Sequence, residues 1–170
     1  MVFEDFVNDF NETDPDTELT VTTNKIEITG LNADGDAYVV KDGGANHYDT
    51  SLIHQFEITY SVNSANAEVW AISDVNTGFT NFGADDIIMP VVLDEVDTAF
   101  VIVLTDAQVE NLDLAFVDFG KYYITIERTA TPNTTATIRT GSHAGATEAT
   151  LAITDSGDSR RYLYAMAEEE

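Results

Sequence analysis

Few side chains in this 170-residue chain are spaced for chemistry. Glu95-Val-Asp97 offers two carboxylates one residue apart. Retaining glycoside hydrolysis needs two carboxyl groups about 5–5.5 Å apart across the scissile bond. On one strand, positions i and i+4 share a face, so a nucleophile and acid/base pair could be made by Glu95 and residue 99. That position holds Ala99, and the next is Phe100. The second carboxylate is missing, the pair reads as an acidic turn between two apolar runs, and the chain is not expected to be an enzyme.

Asn32, Asp34 and Asp36 alternate along Leu31-Asn-Ala-Asp-Gly-Asp36 and could lend oxygen ligands to Ca²⁺, which takes carboxylates and carbonyls from flexible loops. Calcium is the one cofactor these residues bring into view. The string lacks the later Glu of an EF-hand loop, and a plain Asp-Gly turn accounts for the same residues. His47 and His54 are seven apart and His143 is remote. His54 shares a strand face with Phe56 and Ile58, which marks it as a core or interface histidine with one hydrogen-bond partner. Ser142-His143 are merely adjacent in a Gly-rich loop, with no acid to complete a triad.

Aromatic rings in loops can stack on the apolar C–H faces of sugars. Tyr48, beside Asn46, His47 and Asp49, is one candidate; Phe79 and Phe82, in a long polar loop over 74–86, are the others. His47, Tyr48, Phe79 and Phe82 therefore form the candidate glycan site, because binding concentrates in loops held on a rigid scaffold. Trp70 falls within a strand, where core packing is the stronger reading. The basic residues Arg128, Arg139, Arg160 and Arg161 are a candidate subunit contact. The competing reading is pairing with acids on neighbouring strands, worth at most about 1 kcal/mol per exposed pair.

These residues must be positioned by strands. In Lys121-Tyr-Tyr-Ile-Thr-Ile-Glu-Arg128, Tyr122, Ile124 and Ile126 fall on one face, and Tyr123, Thr125 and Glu127 on the other. The same period of two runs through 147–154 and, at greatest length, through 52–62, where Leu52, His54, Phe56, Ile58 and Tyr60 alternate with polar residues. Such alternation predicts half-buried antiparallel strands. Further strands are expected at 19–23, 25–29, 37–41, 68–73, 134–140 and 160–166. Residues 87–93 and 99–104 are apolar on both faces and should be covered on both sides. One short helix is expected over 105–114, with Thr105 and Asp106 as caps. The fold class is all-β: an antiparallel sandwich or jelly roll in a single domain over 1–166, with 167–170 an acidic tail.

Charge is the most unusual property. The chain carries 31 acidic and 7 basic residues, a formal net charge of −24. Residues 1–120 hold 24 acidic and 2 basic residues, a net of −22, whereas 121–170 hold 7 and 5, a net of −2. Nucleic acid and anionic membrane are excluded as partners by repulsion. No apolar run approaches the roughly 18 residues of a membrane span. At molar salt the Debye length shrinks to about 3 Å, so this surface suits a protein working in very high salt. The chain has no cysteine, which excludes disulfides and thiolate metal sites. The acidic opening Met1-Val-Phe-Glu-Asp-Phe lacks the basic region of a secretory signal, so export by a cleaved signal is not expected.

The ordered set F-E-D-F, N-K-I-E-I-T-G-L, G-D-A-Y-V-V-K-D, H-Q-F-E-I-T-Y, V-W-A-I-S-D, K-Y-Y-I-T-I-E-R and R-R-Y-L-Y-A-M resembles the concanavalin A-like (laminin G-like) jelly-roll domains of phage and viral structural proteins. The likeness extends over about residues 3–166. It implies two antiparallel sheets packed face to face, one of them concave. It implies a virion structural protein: a capsid decoration or turret, spike or tail component, here of a virus of a halophilic archaeon. Other virion proteins and further copies of the chain would be its partners, with a trimer favoured. Location would be the virion, assembled in the host cytoplasm and then released. A lectin-like module binding a host surface glycan is the alternative. A glycoside hydrolase ranks last, since Glu95-Val-Asp97 matches only part of the E-x-D-x-E motif of hydrolases with this fold.

Overall fold

The structure, a computed structural model, describes residues 4–15, 17–28, 37–59, 67–77, 86–94, 99–105, 109–114, 121–129, 133–154 and 160–168. Every regular element among them is a strand. In chain order they are β1 (Asn11–Thr13), β2 (Leu19–Thr22), β3 (Lys25–Ile28), β4 (Tyr38–Asp42), β5 (Leu52–Thr59), β6 (Ala67–Ser73) and β7 (Ile87–Asp94). There follow β8 (Ala99–Thr105), β9 (Val109–Leu114), β10 (Lys121–Arg128), β11 (Asn133–Thr140), β12 (Thr147–Thr154) and β13 (Tyr162–Glu168). All their pairings are antiparallel.

Three sheets result: a seven-stranded sheet in the order β1-β4-β13-β6-β7-β8-β9, a four-stranded sheet β12-β11-β10-β5, and the hairpin β2-β3. The alternation seen in the sequence decides which residues face inward. β10 buries Tyr122, Ile124 and Ile126, β11 buries Ala136 and Ile138, and β12 buries Ala149, Leu151 and Ile153. Opposite them lie Val39, Trp70, Ile72, Ile87 and Leu163 of the seven-stranded sheet, in one continuous core. The two larger sheets are thus layers over a shared interior, each large side chain contributing about 1.5–3 kcal/mol on burial. Phe10, Leu19 and Tyr48 close the core from the N-terminal segment, the hairpin and a loop.

Three strands of the seven-stranded sheet, β4, β6 and β13, bury residues on the other face too: Val40, Ala71 and Tyr164, with Tyr38 and Tyr162 packed against them. The Tyr164 hydroxyl satisfies itself by donating to the Val75 carbonyl at 3.0 Å. Pro90 lies within β7, an interior strand. Proline has no N–H for a ladder, and the register of β6 against β7 shifts between Glu68 and Trp70, where Glu68 pairs with Pro90. A bulge there absorbs the missing donor.

Three expectations need correction. The helix over 105–114 does not form: β8 ends at Thr105, and β9 returns from Val109 in register, pairing Thr105 with Val109 and Phe100 with Leu114. Leu112 and Leu114 are two apart, a strand period, and pairing with β8 satisfies the backbone that an isolated short helix would support poorly. The expected strands begin at residue 19, yet the acidic stretch after Phe10 already forms β1, which pairs with β4 from Asn11–Val40 to Thr13–Tyr38. β13 continues through Ala167 and Glu168, so the strand takes in the first half of the expected tail.

Candidate functional site

Five of the residues singled out from the sequence, His47, Tyr48, Arg128, Arg160 and Arg161, converge at the loop after β4. Its turn is made possible by Gly44 at φ +88° and Asn46 at φ +60°, both left-handed. Asp42 starts it, its Oδ1 accepting from the Gly44 N–H at 2.8 Å. A side chain at Gly43 would stand 2.8 Å from the His47 ring, so glycine lets that ring fold back over the turn.

The arginines then clamp this loop. Arg128 is 2 % exposed and donates from Nη1 to the Tyr48 carbonyl at 2.6 Å. Arg160 is 1 % exposed; its carbonyl accepts from the Tyr48 N–H at 3.1 Å and its own N–H is taken by Asp49 Oδ1. Arg161 forms a two-pronged pair with Asp42, at 2.8 Å from Nε and 2.6 Å from Nη2. Hydrogen bonding from Arg161 holds the Asp42 carboxyl down at about 2, and the same pair raises Arg161. Arg161 also lies over the Tyr162 ring at 5.2 Å.

This geometry revises two expectations. Tyr48 is 5 % exposed and belongs to the core, so its face is closed to a sugar. Burial, with Glu4 and Asp42 nearby, pushes its hydroxyl up to about 12. Its neighbour His47 stays exposed, edge-on to it at 4.7 Å. Arg128 and Arg160 are interior and cannot meet a partner; Arg161, exposed but tied to Asp42, follows the charge-pairing reading. A sequence signal for Arg128 existed: it continues the inward parity of Tyr122, Ile124 and Ile126. Phe79 and Phe82, the calcium candidates Asn32, Asp34 and Asp36, and the pair Glu95 and Asp97 lie outside the described residues. Among the described residues no three carboxylate or imidazole side chains gather as a metal cage.

A ring series continues inward from Tyr48 to His54 at 6.2 Å and on to Trp70 at 5.9 Å. Trp70 is core, and its Nε1–H donates to His54 Nδ1 at 2.9 Å, giving His54 the single partner expected of it.

Arg139 sits elsewhere, on the outward face of the four-stranded sheet. It is the register partner of Tyr123 and reaches Thr125 Oγ1 at 3.4 Å. The His143 ring, from the turn after β11, meets Tyr123 edge-on at 5.3 Å, and Lys121 lies 5.8 Å from the same ring while pairing with Glu57. His143 Nδ1 is buried without a hydrogen-bond partner among the described residues. The motif K-Y-Y concealed this patch: its two tyrosines point to opposite faces, and only Tyr122 is core. The four strands hold Glu57, Glu127 and Glu148 against Lys121, Arg128 and Arg139, so the sheet is neutral within a chain of net charge −24. A shallow depression of about 240 Å³ between β5 and β10, lined by Ser51, Leu52, Ile53, Glu127, Arg128 and Thr129, is smaller than ordinary ligand pockets.

No family model and no curated protein sequence matches the chain. Among solved structures, a crystal structure of a protein of unknown function from Shewanella oneidensis MR-1 is similar at 8% identity, covering 95% of this chain and 80% of that one, with a TM-score of 0.44.

Proposed function

We propose that the protein is a non-catalytic structural module of a virion, built as a concanavalin A-like jelly roll, that assembles with copies of itself on a virus of a halophilic host. The observation that carries the high-salt part is the use made of the cations. All seven basic residues are described, and each has a partner within the chain. Thirty-one acidic residues face these seven, so the surplus negative charge must be balanced by solvent cations. The virion part rests on the order of strand motifs in the sequence. Mass spectrometry of purified particles from a halophilic virus encoding this chain tests it. Stoichiometric amounts of the chain support the reading, and its absence from the particles rejects it.

Saccharide binding is a second reading, and the Tyr123–His143 patch favours it. An aromatic ring flanked by Arg139, Gln55 and Thr125 on a sheet face combines an apolar surface with hydrogen-bonding groups. Titration with host-surface saccharides in high salt, using the chain and its Tyr123→Ala variant, decides it. Binding that this substitution abolishes supports the reading; no binding at millimolar sugar removes it.

A further inference from the structure

We propose that the open edge of β5 pairs antiparallel with β5 of a second copy, joining two four-stranded sheets into one of eight strands. The inference rests on the self-assembly part of the proposed function and gives that assembly a surface. On its inner side β5 is fully in register with β10, from Lys121–Thr59 to Arg128–Leu52, without a shift. On its outer side it has no strand among the described residues. Free, regular edges of this length invite pairing, and proteins normally guard them with lysine, proline or a bulge. β5 reads Leu-Ile-His-Gln-Phe-Glu-Ile-Thr and has none of these; its one charge, Glu57, is already paired with Lys121.

The other ends of the two large sheets differ, and β9 lies against β12. β1 has three residues. β12, the far edge of the same sheet, lies against β8 and β9. Burial points to the same place. Leu52, Phe56 and Ile58 face the core yet remain only half-buried, whereas the matching residues of β10 and β11 are fully buried. Ile53, on the outward face, is 64% exposed. A neighbouring strand would complete the burial of these side chains.

Charge selects the occupant. A second copy carries −24 overall, and like charges brought into contact repel even where salt screens them at longer range. Outside the buried Arg128, this sheet sets Lys121 and Arg139 against Glu57, Glu127 and Glu148, a net of only −1, so here two copies can meet at little of that cost. Antiparallel pairing of identical edges is isologous and closes about a twofold axis. The product is therefore a dimer, in place of the trimer expected from the resemblance.

The chain's lack of cysteine makes the test direct. Single substitutions Ile53→Cys and Gln55→Cys, at exposed positions of β5, are compared with Ala152→Cys on β12, each treated with a short bismaleimide in about 3 M KCl. Sedimentation velocity gives the mass of the unmodified chain in the same salt. A dimer mass with cross-linking at positions 53 and 55, and none at 152, is the expected result. A dimer or larger species that fails to cross-link through β5 overturns the edge and leaves self-assembly standing. A monomer at high concentration overturns both. The double variant Ile53→Lys/Gln55→Lys should raise the dimer dissociation constant by about tenfold or more, because lysine guards an edge by resisting desolvation and the apolar area of Ile53 is lost. Its unfolding curve at low protein concentration should match that of the unmodified chain, which separates a lost contact from a lost fold.

Discussion

Trp70 and His54 join the two large sheets through the core. The indole Nε1–H, on β6, donates to His54 Nδ1, on β5, over 2.9 Å. That nitrogen accepts only while it carries no proton. Burial pushes the His54 pKa down, Lys41 and His47 push the same way, and Glu4 opposes them. The unfolded chain takes up its proton near the ordinary value of about 6.5, the folded chain only at lower pH. Stabilisation from this site is therefore complete above about pH 6.5 and is lost as pH falls through the folded pKa. In high salt, the melting temperature should drop between about pH 7.5 and pH 5. His54→Phe should remove the His54 contribution to that drop and, by orphaning the indole N–H, cost about 1–3 kcal/mol even at neutral pH. Trp70 is the only tryptophan, so its fluorescence reports the change directly.

Arg128 and Arg161 lie in one cluster but should respond differently to substitution. Arg128→Met keeps the aliphatic bulk and leaves the Tyr48 carbonyl without its Nη1 donor, a loss of about 2–3 kcal/mol for a buried charged hydrogen bond. Denaturant titration should show the lower midpoint, and limited proteolysis should cut within residues 43–51. Arg161→Ala breaks only an exposed pair with Asp42, which salt already weakens, and its unfolding curve should overlay that of the unmodified chain. Equal effects from the two would contradict the clamp as described.

Alternation made the strands of the four-stranded sheet legible, because one face is buried and a shift of one residue would expose it. The inward lines of β10 and β12 follow Tyr122–Ile124–Ile126 and Ala149–Leu151–Ile153 as the sequence indicates. β9 was not legible: Val109–Leu114 has mixed polarity, and pairing with β8, a tertiary fact, decides it. The arginines were misplaced for a similar reason. A charged residue reads as surface by type, while Arg128 is interior because its parity and a loop carbonyl place it there. Tyr48 and its neighbours resembled a binding loop because a tight turn built from Asp, Gly, Gly and Asn looks alike in sequence whether it serves a ligand or docks into its own core.

The turn between β11 and β12 carries a stricter requirement than its composition reveals. A Cβ on Gly145 would stand 1.9 Å from the Thr140 carbonyl oxygen, which is backbone and cannot rotate away. Gly145→Ala should open the turn, cost about 2 kcal/mol, and lift His143 off Tyr123. The ring-current shift of the His143 protons in NMR reads that displacement. Gly43→Ala is the milder case, since its clash is with the exposed His47 side chain, which can turn outward. Its cost should be about 1 kcal/mol or less.

Salt should decide whether the chain folds at all. Its seven basic residues all have partners inside the molecule and face 31 acidic ones, which leaves a surplus of 24 negative charges for the solvent to balance. At about 0.1 M salt the Debye length is near 10 Å and neighbouring carboxylates repel across the surface; at about 1 M it is near 3 Å and they do not. Far-ultraviolet circular dichroism and Trp70 emission should report a folded chain in about 2–3 M KCl and progressive unfolding on dialysis into dilute buffer, reversed when salt returns. Concentrated salt can also strengthen apolar burial, and kosmotropic anions such as sulfate do so more than chloride or bromide. Screening depends on ionic strength rather than on the anion. KCl and KBr at equal ionic strength should therefore protect equally, whereas protection by sulfate alone would assign the effect to the core instead of the acidic surface.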